Sequence, residues 1–157
     1  MELFHPKYIF DSGPFIDLKN YPQDVFPSLW SNFSHLIMDG DIISSTEVLR
    51  ELEDYDDEIA KWAKLNRQIF IKPIIEEQIM VQEILNKHPD LVKEEAILLG
   101  KPQADPFVIA QAKYHQCILV HNEKYKANAH KIPNVCKDFK VEEISLFEFF
   151  RIERWNF

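Results

Sequence analysis

Three acidic residues stand where alternating strands and helices would bring their carboxylates together. Asp11 follows the short apolar strand predicted at Lys7–Phe10, and Glu51 lies on a predicted helix after the short strand predicted at Ile42–Ser44. Asp105 opens a further predicted helix. Because the carboxyl ends of parallel strands meet at one edge of a sheet, we expect these carboxylates to converge there. Carboxylates that repel one another are relieved by a cation, so the pattern predicts a divalent-cation site.

The elements that must position these acids are predicted from apolar periodicity and from helix-capping residues. The predicted strands are Lys7–Asp11, Ile42–Ser44, Ile69–Ile71, Cys117–His121 and Phe139–Val141. The predicted helices are Ser28–Met38, Thr46–Leu65 with Thr46 as its N-cap, Ile74–Lys87, Asp90–Leu99, one beginning at Asp105, and Ser145–Arg154, while residues 14–27 are predicted to form a loop. Short apolar strands alternating with helices indicate an α/β fold with a parallel sheet between two helical layers.

Length and composition are those of one globular domain. The chain has 157 residues, 46% of them hydrophobic, and no repeat or flexible linker divides it, so residues 1–157 are predicted to form a single domain. No apolar run reaches the roughly 18–20 residues that a membrane helix needs. The first residues lack the pattern of a signal peptide, and two cysteines do not make a disulfide framework. A cytoplasmic protein without a membrane partner is therefore expected.

Five short segments, taken in chain order, resemble a known family. They are Tyr8–Ser12, Val48–Leu52, Ala104–Ala110, Leu119–Glu123 and Ile132–Cys136. None is distinctive alone, but their order and spacing resemble the PIN domain family of metal-dependent ribonucleases over nearly the whole chain. The resemblance is closest to a DUF4411-like branch of PIN-like proteins, which are usually met as toxins in bacterial and archaeal toxin–antitoxin pairs.

This resemblance implies a PIN-like three-layer α/β/α sandwich with a central, mostly parallel sheet of about five strands. It implies an endoribonuclease that depends on Mg²⁺ or Mn²⁺. Asp11, Glu51 and Asp105 would hold the principal metal ion, and Glu123 would assist a second. In-line attack on the phosphodiester would leave a 5′-phosphate and a 3′-hydroxyl. The implied partners are an RNA substrate and an antitoxin protein, and a homodimer is left open.

Several of these assignments have alternatives. The PIN pattern places an acid shortly after the small residue that ends the second strand, and counting from Ser45 favours Glu51. Glu47 lies one turn earlier on the same helical face, and remains an alternative or supporting ligand. The carboxylates of Asp11 and Asp105 could instead cap a turn or a helix without any metal ion.

Two polar residues are predicted to support the acids rather than to bind metal directly. Ser12 could orient a carboxylate or a water molecule through its hydroxyl group. Asn122 could position the substrate, in the segment His121–Glu123 just beyond the fourth predicted strand. Many PIN domains carry Asp at this point, so the glutamate here leaves the affinity of a second metal site open.

The charge of the chain is unevenly distributed. Its formal net charge is −8, but residues 111–140 carry six lysines against Glu123 and Asp138, a local balance of +4. We expect Lys124, Lys126 and Lys131 to contact RNA phosphates, although a lysine-rich loop is also an ordinary solvated surface.

Other functional classes find less support. A PIN-like domain that binds RNA or protein without cleaving it, and a structure-specific DNA nuclease, both remain alternatives. The chain has no nucleophile elbow, P-loop or dinucleotide-binding motif. A structural zinc site is disfavoured because His121, His130 and Cys136 lack the close paired spacing of zinc ligands.

Overall fold

The computed structural model describes residues 5–157 and confirms the α/β prediction. Its strands are β1 (Tyr8–Phe10), β2 (Ile42–Ser45), β3 (Phe70–Ile71), β4 (Ile118–Val120) and β5 (Glu143–Ile144). They form one five-stranded sheet in the order β3-β2-β1-β4-β5. All four strand pairs are parallel, so the sheet is entirely rather than mostly parallel.

Helices flank this sheet, consistent with a three-layer α/β/α sandwich. They are α1 (Ser12–Asp17), α2 (Pro27–Met38), α3 (Thr46–Glu53), α4 (Glu58–Leu65), α5 (Ile75–Lys87), α6 (Glu94–Leu98), α7 (Asp105–His115), α8 (Ile132–Phe139) and α9 (Leu146–Ile152). Short 3₁₀ turns cover Leu18–Asn20, Arg67–Ile69 and Pro89–Leu91. Among residues 5–157, no helix is long and apolar enough to cross a membrane.

The central strand β1 is buried along its whole length. Ile9 pairs in register with Ile43 of β2 on one side and Leu119 of β4 on the other, and all three side chains are buried. A continuous apolar strand is expected where helices cover both faces of a parallel sheet. The ring of Phe10 packs 5.1 Å from that of Phe149, centroid to centroid, in an edge-to-face contact. These contacts fix the position of the residue that follows β1.

The predicted helix Thr46–Leu65 is wrong as a single element. It divides into α3 and α4, and Ser45 rather than Thr46 caps α3 by accepting a hydrogen bond from the Glu47 amide. Asp57 caps α4, because its carboxylate accepts hydrogen bonds from the amides of Ile59 and Ala60. An aspartate that binds amides ahead of it favours a helix start over a helix interior.

Three further predicted elements differ from the structure. Phe139–Val141 is not a strand, because α8 extends to Phe139 and Lys140 then adopts a left-handed conformation with φ of 58°, so β5 begins only at Glu143. The predicted loop 14–27 contains most of α1 and begins after Ser12 has already become helical. Asp90–Leu99 is not one helix but a 3₁₀ turn followed by the short helix α6.

The C-terminal helix α9 packs against the start of the chain. Ser145 and Glu148 form a reciprocal capping box at its N-terminus, which supports the predicted helix beginning at Ser145. The Tyr8 hydroxyl donates a hydrogen bond of 2.5 Å to the Glu153 carboxylate. Burial and this carboxylate raise the pKa of Tyr8. The end of α9 is therefore joined to the central strand.

Candidate functional site

Asp11 leaves the carboxyl end of β1 and occupies the N-cap position of α1. Its amide donates a hydrogen bond of 3.0 Å to the Val120 carbonyl, which fixes Asp11 beside the end of β4. Its side chain makes no capping hydrogen bond to α1, so helix capping does not account for this carboxylate. The residue is 7% exposed, and its Oδ1 atom is buried without a hydrogen-bond partner.

Glu51 lies on α3, the helix that leaves the carboxyl end of β2. Its Oε1 atom is also buried without a hydrogen-bond partner. Burial raises the pKa of Glu51, and the Ser12 hydroxyl lowers it by a smaller amount. The Ser12 backbone likewise lowers the pKa of Asp11 against the larger effect of burial. Ser12 therefore lies beside both acids.

Glu47 occupies a different environment from Glu51. Its carboxylate is paired with Arg50, whose Nη1 lies 3.0 Å from Oε2 on the surface of α3. It remains near enough for its charge to raise the pKa of Glu51. Because Glu47 already has a cationic partner, Glu51 is the carboxylate of this pair that is left to receive another cation.

Asp105 is the first residue of α7, and the N-cap position belongs to Ala104. No side chain at that position caps the helix, and Pro106 occupies the first turn as predicted. The Asp105 carboxylate is therefore held at the positive end of the α7 dipole without being its N-cap.

The pKa values of the three carboxyl groups show that the acids influence one another. Burial first and then the charge of Glu51 raise the pKa of Asp11 to about 7. Burial and the charge of Asp105 raise that of Glu51 to about 7. Burial and the charge of Asp11 raise the pKa of Asp105 to about 8, against a lowering by Lys93. The structure thus brings together the three acids that the sequence singled out.

Glu123 lies in the loop after β4 and contributes its charge to the same cluster. This charge raises the pKa of both Asp11 and Asp105. Its Oε2 atom accepts a hydrogen bond of 2.9 Å from the amide of Ile132, the first residue of α8. Its own amide donates to Nδ1 of the buried His121. One carboxylate oxygen of Glu123 is therefore committed to holding α8.

Asp17 is a site residue that sequence reasoning missed. Its Oδ2 atom accepts a hydrogen bond of 2.7 Å from Nδ2 of Asn122, which draws the loop after β4 onto α1. A Cβ atom at Gly13 would lie only 3.3 Å from the same Asn122 nitrogen, so the close approach of the two segments suits glycine. The sequence gives only a weak signal for Asp17, because Gly13 and Pro14 are typical of a turn and do not indicate the helix α1.

A comparison with protein-family models matches residues 8–157 to the family described as Domain of unknown function (DUF4411). The chain belongs to the DUF4411 family. A comparison with curated proteins gave no match.

The three lysines predicted to contact phosphate are all exposed in this DUF4411 protein. Lys124 and Lys126 lie in the loop after β4, where the Lys126 carbonyl accepts a hydrogen bond of 2.7 Å from Asn134. Lys131 occupies the N-cap position of α8. The loop that carries Glu123 therefore carries all three lysines as well.

A cleft of about 590 Å³ opens next to Glu123. Its lining includes carboxylates, amides, aromatic rings and one lysine: Asp17, Asn20, Tyr21, Asn122, Glu123, Lys124, Tyr125, Glu143, Phe147 and Glu148. The cleft thus joins the segment after β4 to α1 and to the start of α9.

Within residues 5–157 of the DUF4411 chain, no group of three or more His, Cys, Asp or Glu side chains is arranged to hold a metal ion as it stands. The histidines and the cysteine that could bind zinc have other contacts or are buried. His121 contacts Glu143 at 3.3 Å, and Nδ1 of His130 lies 2.8 Å from Nδ1 of His88. Cys136 is buried, and burial raises the pKa of its thiol.

Proposed function

We propose that this DUF4411 protein is a PIN-like endoribonuclease that depends on Mg²⁺ or Mn²⁺. The observation that carries the proposal is the pair of buried carboxylate oxygens, Asp11 Oδ1 and Glu51 Oε1, that accept no hydrogen bond. A buried polar atom without a partner is costly, and it persists where function requires it. Oxygen ligands with carboxylate charge suit small hard cations.

Asp11, Glu51 and Asp105 are the residues that would hold the principal cation. Each has a pKa raised by burial and by a neighbouring carboxylate, and a cation would relieve that repulsion. Attraction to a cation also favours a closer approach of the three carboxylates. Ser12 would keep Glu51 oriented, and Glu123 would add charge for a second ion through the oxygen that does not bind α8.

We expect the metal ion, the lysines and Asn122 to have different roles toward the substrate. When bound, the metal ion supplies a water molecule of lowered pKa and neutralises charge on the reacting phosphate. Lys124, Lys126 and Lys131 would place the RNA backbone without reading its sequence. Asn122, tied to Asp17, would fix one side of the substrate path. In-line displacement would leave a 5′-phosphate and a 3′-hydroxyl.

The biological role that fits this activity is that of a cytoplasmic toxin restrained by an antitoxin protein. The carboxyl groups of this cluster raise one another's pKa values. Such a cluster favours an active site over a domain that only binds RNA or protein. A scaffold gains nothing from carboxylates that repel, and like charges destabilise the folded state.

The proposal is tested by incubating single-stranded RNA with purified protein and Mn²⁺ or Mg²⁺. Cleavage should be lost in chelator, and Asp11→Asn should reduce the rate at least about a hundredfold, since it removes a primary metal ligand. Undiminished cleavage by Asp11→Asn, or cleavage in excess chelator, would contradict the mechanism. RNA binding without any cleavage would favour the inactive PIN-like alternative.

A further inference from the structure

Two exposed aromatic rings line the cleft next to Glu123. Tyr125 is 57% exposed and Phe147 is 60% exposed, so the aromatic surface of each is open to a ligand in the cleft. Tyr125 stands in the loop after β4, and Phe147 belongs to α9. Residues 5–157 thus bring two solvent-facing aromatic groups to one cleft from distant parts of the chain.

Tyr125 combines its aromatic surface with positive charge. Its neighbours in sequence are Lys124 and Lys126, and Nζ of Lys137 lies 5.5 Å from the centre of its ring. The same residue lines a second cleft of about 290 Å³, together with Lys137. The ring therefore forms a ridge between two clefts. Aromatic rings set among lysines are the usual means of holding single-stranded nucleic acid.

Phe147 is supported from behind by other aromatic side chains. Its ring centre lies 6.1 Å from that of Phe150, which in turn lies 6.0 Å from that of Tyr21, another residue lining the cleft. The Tyr21 carbonyl accepts a hydrogen bond from Trp30. Phe147 is thus an exposed ring on a packed aromatic base, which suits a fixed stacking surface.

The charge inside the cleft favours a base over a phosphate. Asp17, Glu143 and Glu148 line it with Glu123, against the single cation of Lys124. Phosphate groups would be repelled by these carboxylates, whereas the amino groups of adenine or cytosine can donate hydrogen bonds to them. The phosphates would lie outside, near the lysines of the same loop.

We propose that this cleft binds an unpaired nucleobase of single-stranded RNA, stacked on Tyr125 and Phe147. The inference rests on the proposed function, which it deepens by naming the substrate as single-stranded and by adding a base-binding subsite beside the acid cluster. The expected consequence is that part of the binding depends on the base and on neither the phosphates nor the metal ion.

The test is equilibrium binding of a short, fluorescently labelled single-stranded RNA in chelator, compared with an abasic strand of equal length. Tyr125→Ala and Phe147→Ala should each weaken binding of the normal RNA by about tenfold. Neither should weaken binding of the abasic strand. Tyr125→Phe should bind as the wild type does, and the salt dependence should be unchanged because no charge is removed.

Tyr55→Ala is the matched control. Tyr55 is 53% exposed and has Lys19 5.1 Å from its ring centre, but it lines neither cleft. Its replacement should leave RNA binding unaltered. The proposal would be overturned if Tyr55→Ala and Tyr125→Ala lost equal affinity for RNA. It would also be overturned if the double variant Tyr125→Ala/Phe147→Ala bound RNA with unchanged affinity, or if the variants lost as much affinity for abasic RNA as for normal RNA.

Binding of an arginine-rich peptide, measured in the same way, distinguishes a subsite for RNA from a cleft that binds a protein. If Tyr125→Ala weakened binding of that peptide while RNA binding stayed intact, the cleft would belong to a basic protein partner and the proposal would be wrong. Cleavage in Mn²⁺ is measured separately. Base-dependent binding without cleavage would contradict the proposed function but not the base subsite. Cleavage without base-dependent binding would contradict the base subsite but not the proposed function.

Discussion

Burial and the charge of Glu51 raise the pKa of Asp11, and each of these two side chains keeps one buried carboxylate oxygen that accepts no hydrogen bond. Folding therefore brings together two groups that repel each other when both are ionised. The folded, metal-free protein binds protons more tightly at this site than the unfolded chain does. Protonation and stability are consequently linked at the same residues, and we expect cation binding to be linked to both.

Removing the Asp11 charge should stabilise the metal-free protein at pH 8. Raised carboxyl pKa values mean that folded protein holds more protons than unfolded protein between about pH 4 and pH 8, so wild-type stability should fall as the pH rises through this window. Asp11→Asn should increase the free energy of unfolding at pH 8 by roughly 1–3 kcal/mol, and much less at pH 4. Urea unfolding in chelator measures this.

Asp24→Asn is the control for that measurement, because Asp24 is an exposed carboxyl outside the cluster. Its stability should follow that of the wild type at both pH values. A destabilised Asp11→Asn protein at pH 8 would mean that the Asp11 carboxylate contributes structurally, not as a strained ligand.

Millimolar Mn²⁺ or Mg²⁺ should raise the thermal midpoint of the wild type by about 5–10 °C if the cation is present well above its dissociation constant. The rise should be larger at pH 8 than at pH 6, because a cation competes with protons for these carboxylates. The triple change Asp11→Asn, Glu51→Gln, Asp105→Asn should abolish it. A wild-type midpoint indifferent to both cations would count against metal binding.

Glu51→Gln should reduce RNA cleavage much more than Glu47→Gln. Glu51 has an unpartnered buried oxygen, whereas Glu47 is already paired with Arg50. Initial rates at saturating Mn²⁺ measure the two variants side by side, with a reduction of at least about a hundredfold expected for Glu51→Gln. The opposite order would assign the primary ligand to Glu47.

Two substitutions at Glu123 should separate its structural role from its charge. Glu123→Gln keeps an oxygen that can accept the Ile132 amide, so stability should change little while cation affinity falls. Glu123→Ala also removes the hydrogen bond to α8 and should destabilise the protein by about 1 kcal/mol. Chemical unfolding and cation titration distinguish these effects. Equal stabilities for the two variants would show that the hydrogen bond contributes nothing to folding.

Replacing Lys124, Lys126 and Lys131 by alanine should weaken RNA binding and reduce the salt slope by roughly 0.7 for each phosphate that is no longer neutralised. The cation-induced rise in thermal midpoint should remain, because we expect no lysine to bind the cation. The exposed lysines Lys7, Lys61 and Lys64 provide a matched triple control. If both triple variants showed the same decrease in affinity, the effect would reflect net charge rather than binding of phosphates by these three lysines.

The strands that position the site could be predicted because each contains consecutive apolar residues, Tyr8–Phe10 in β1 and the two isoleucines that begin β2. Tyr8–Phe10 and Ile42–Ser45 are buried along their whole length, which is what a strand covered on both faces requires. β5 could not be placed in the same way, since it has only two residues, one of them Glu143. Its pairing with β4 depends on the left-handed turn at Lys140, which apolar periodicity does not reveal.

The candidate site was predictable where it depends on sheet geometry. Asp11 and Glu51 follow adjacent strands, so a parallel sheet alone brings their segments to the same edge. The contact between Asp17 and Asn122, and the meeting of Tyr125 with Phe147 at one cleft, depend on how loops fold back over that edge. Such contacts leave no periodic signal in the chain.

The hydrogen bond between Tyr8 and Glu153 spans 145 positions of the chain and also bears on synthesis. A ribosome makes β1, the central strand, before it makes α9, the helix that packs on it. Until that helix has emerged, the nascent chain lacks the partner of Tyr8 and the ring of Phe149 that packs on Phe10. Asp11, the residue that follows β1, therefore gains the packing that holds it in place only after α9 has been synthesised.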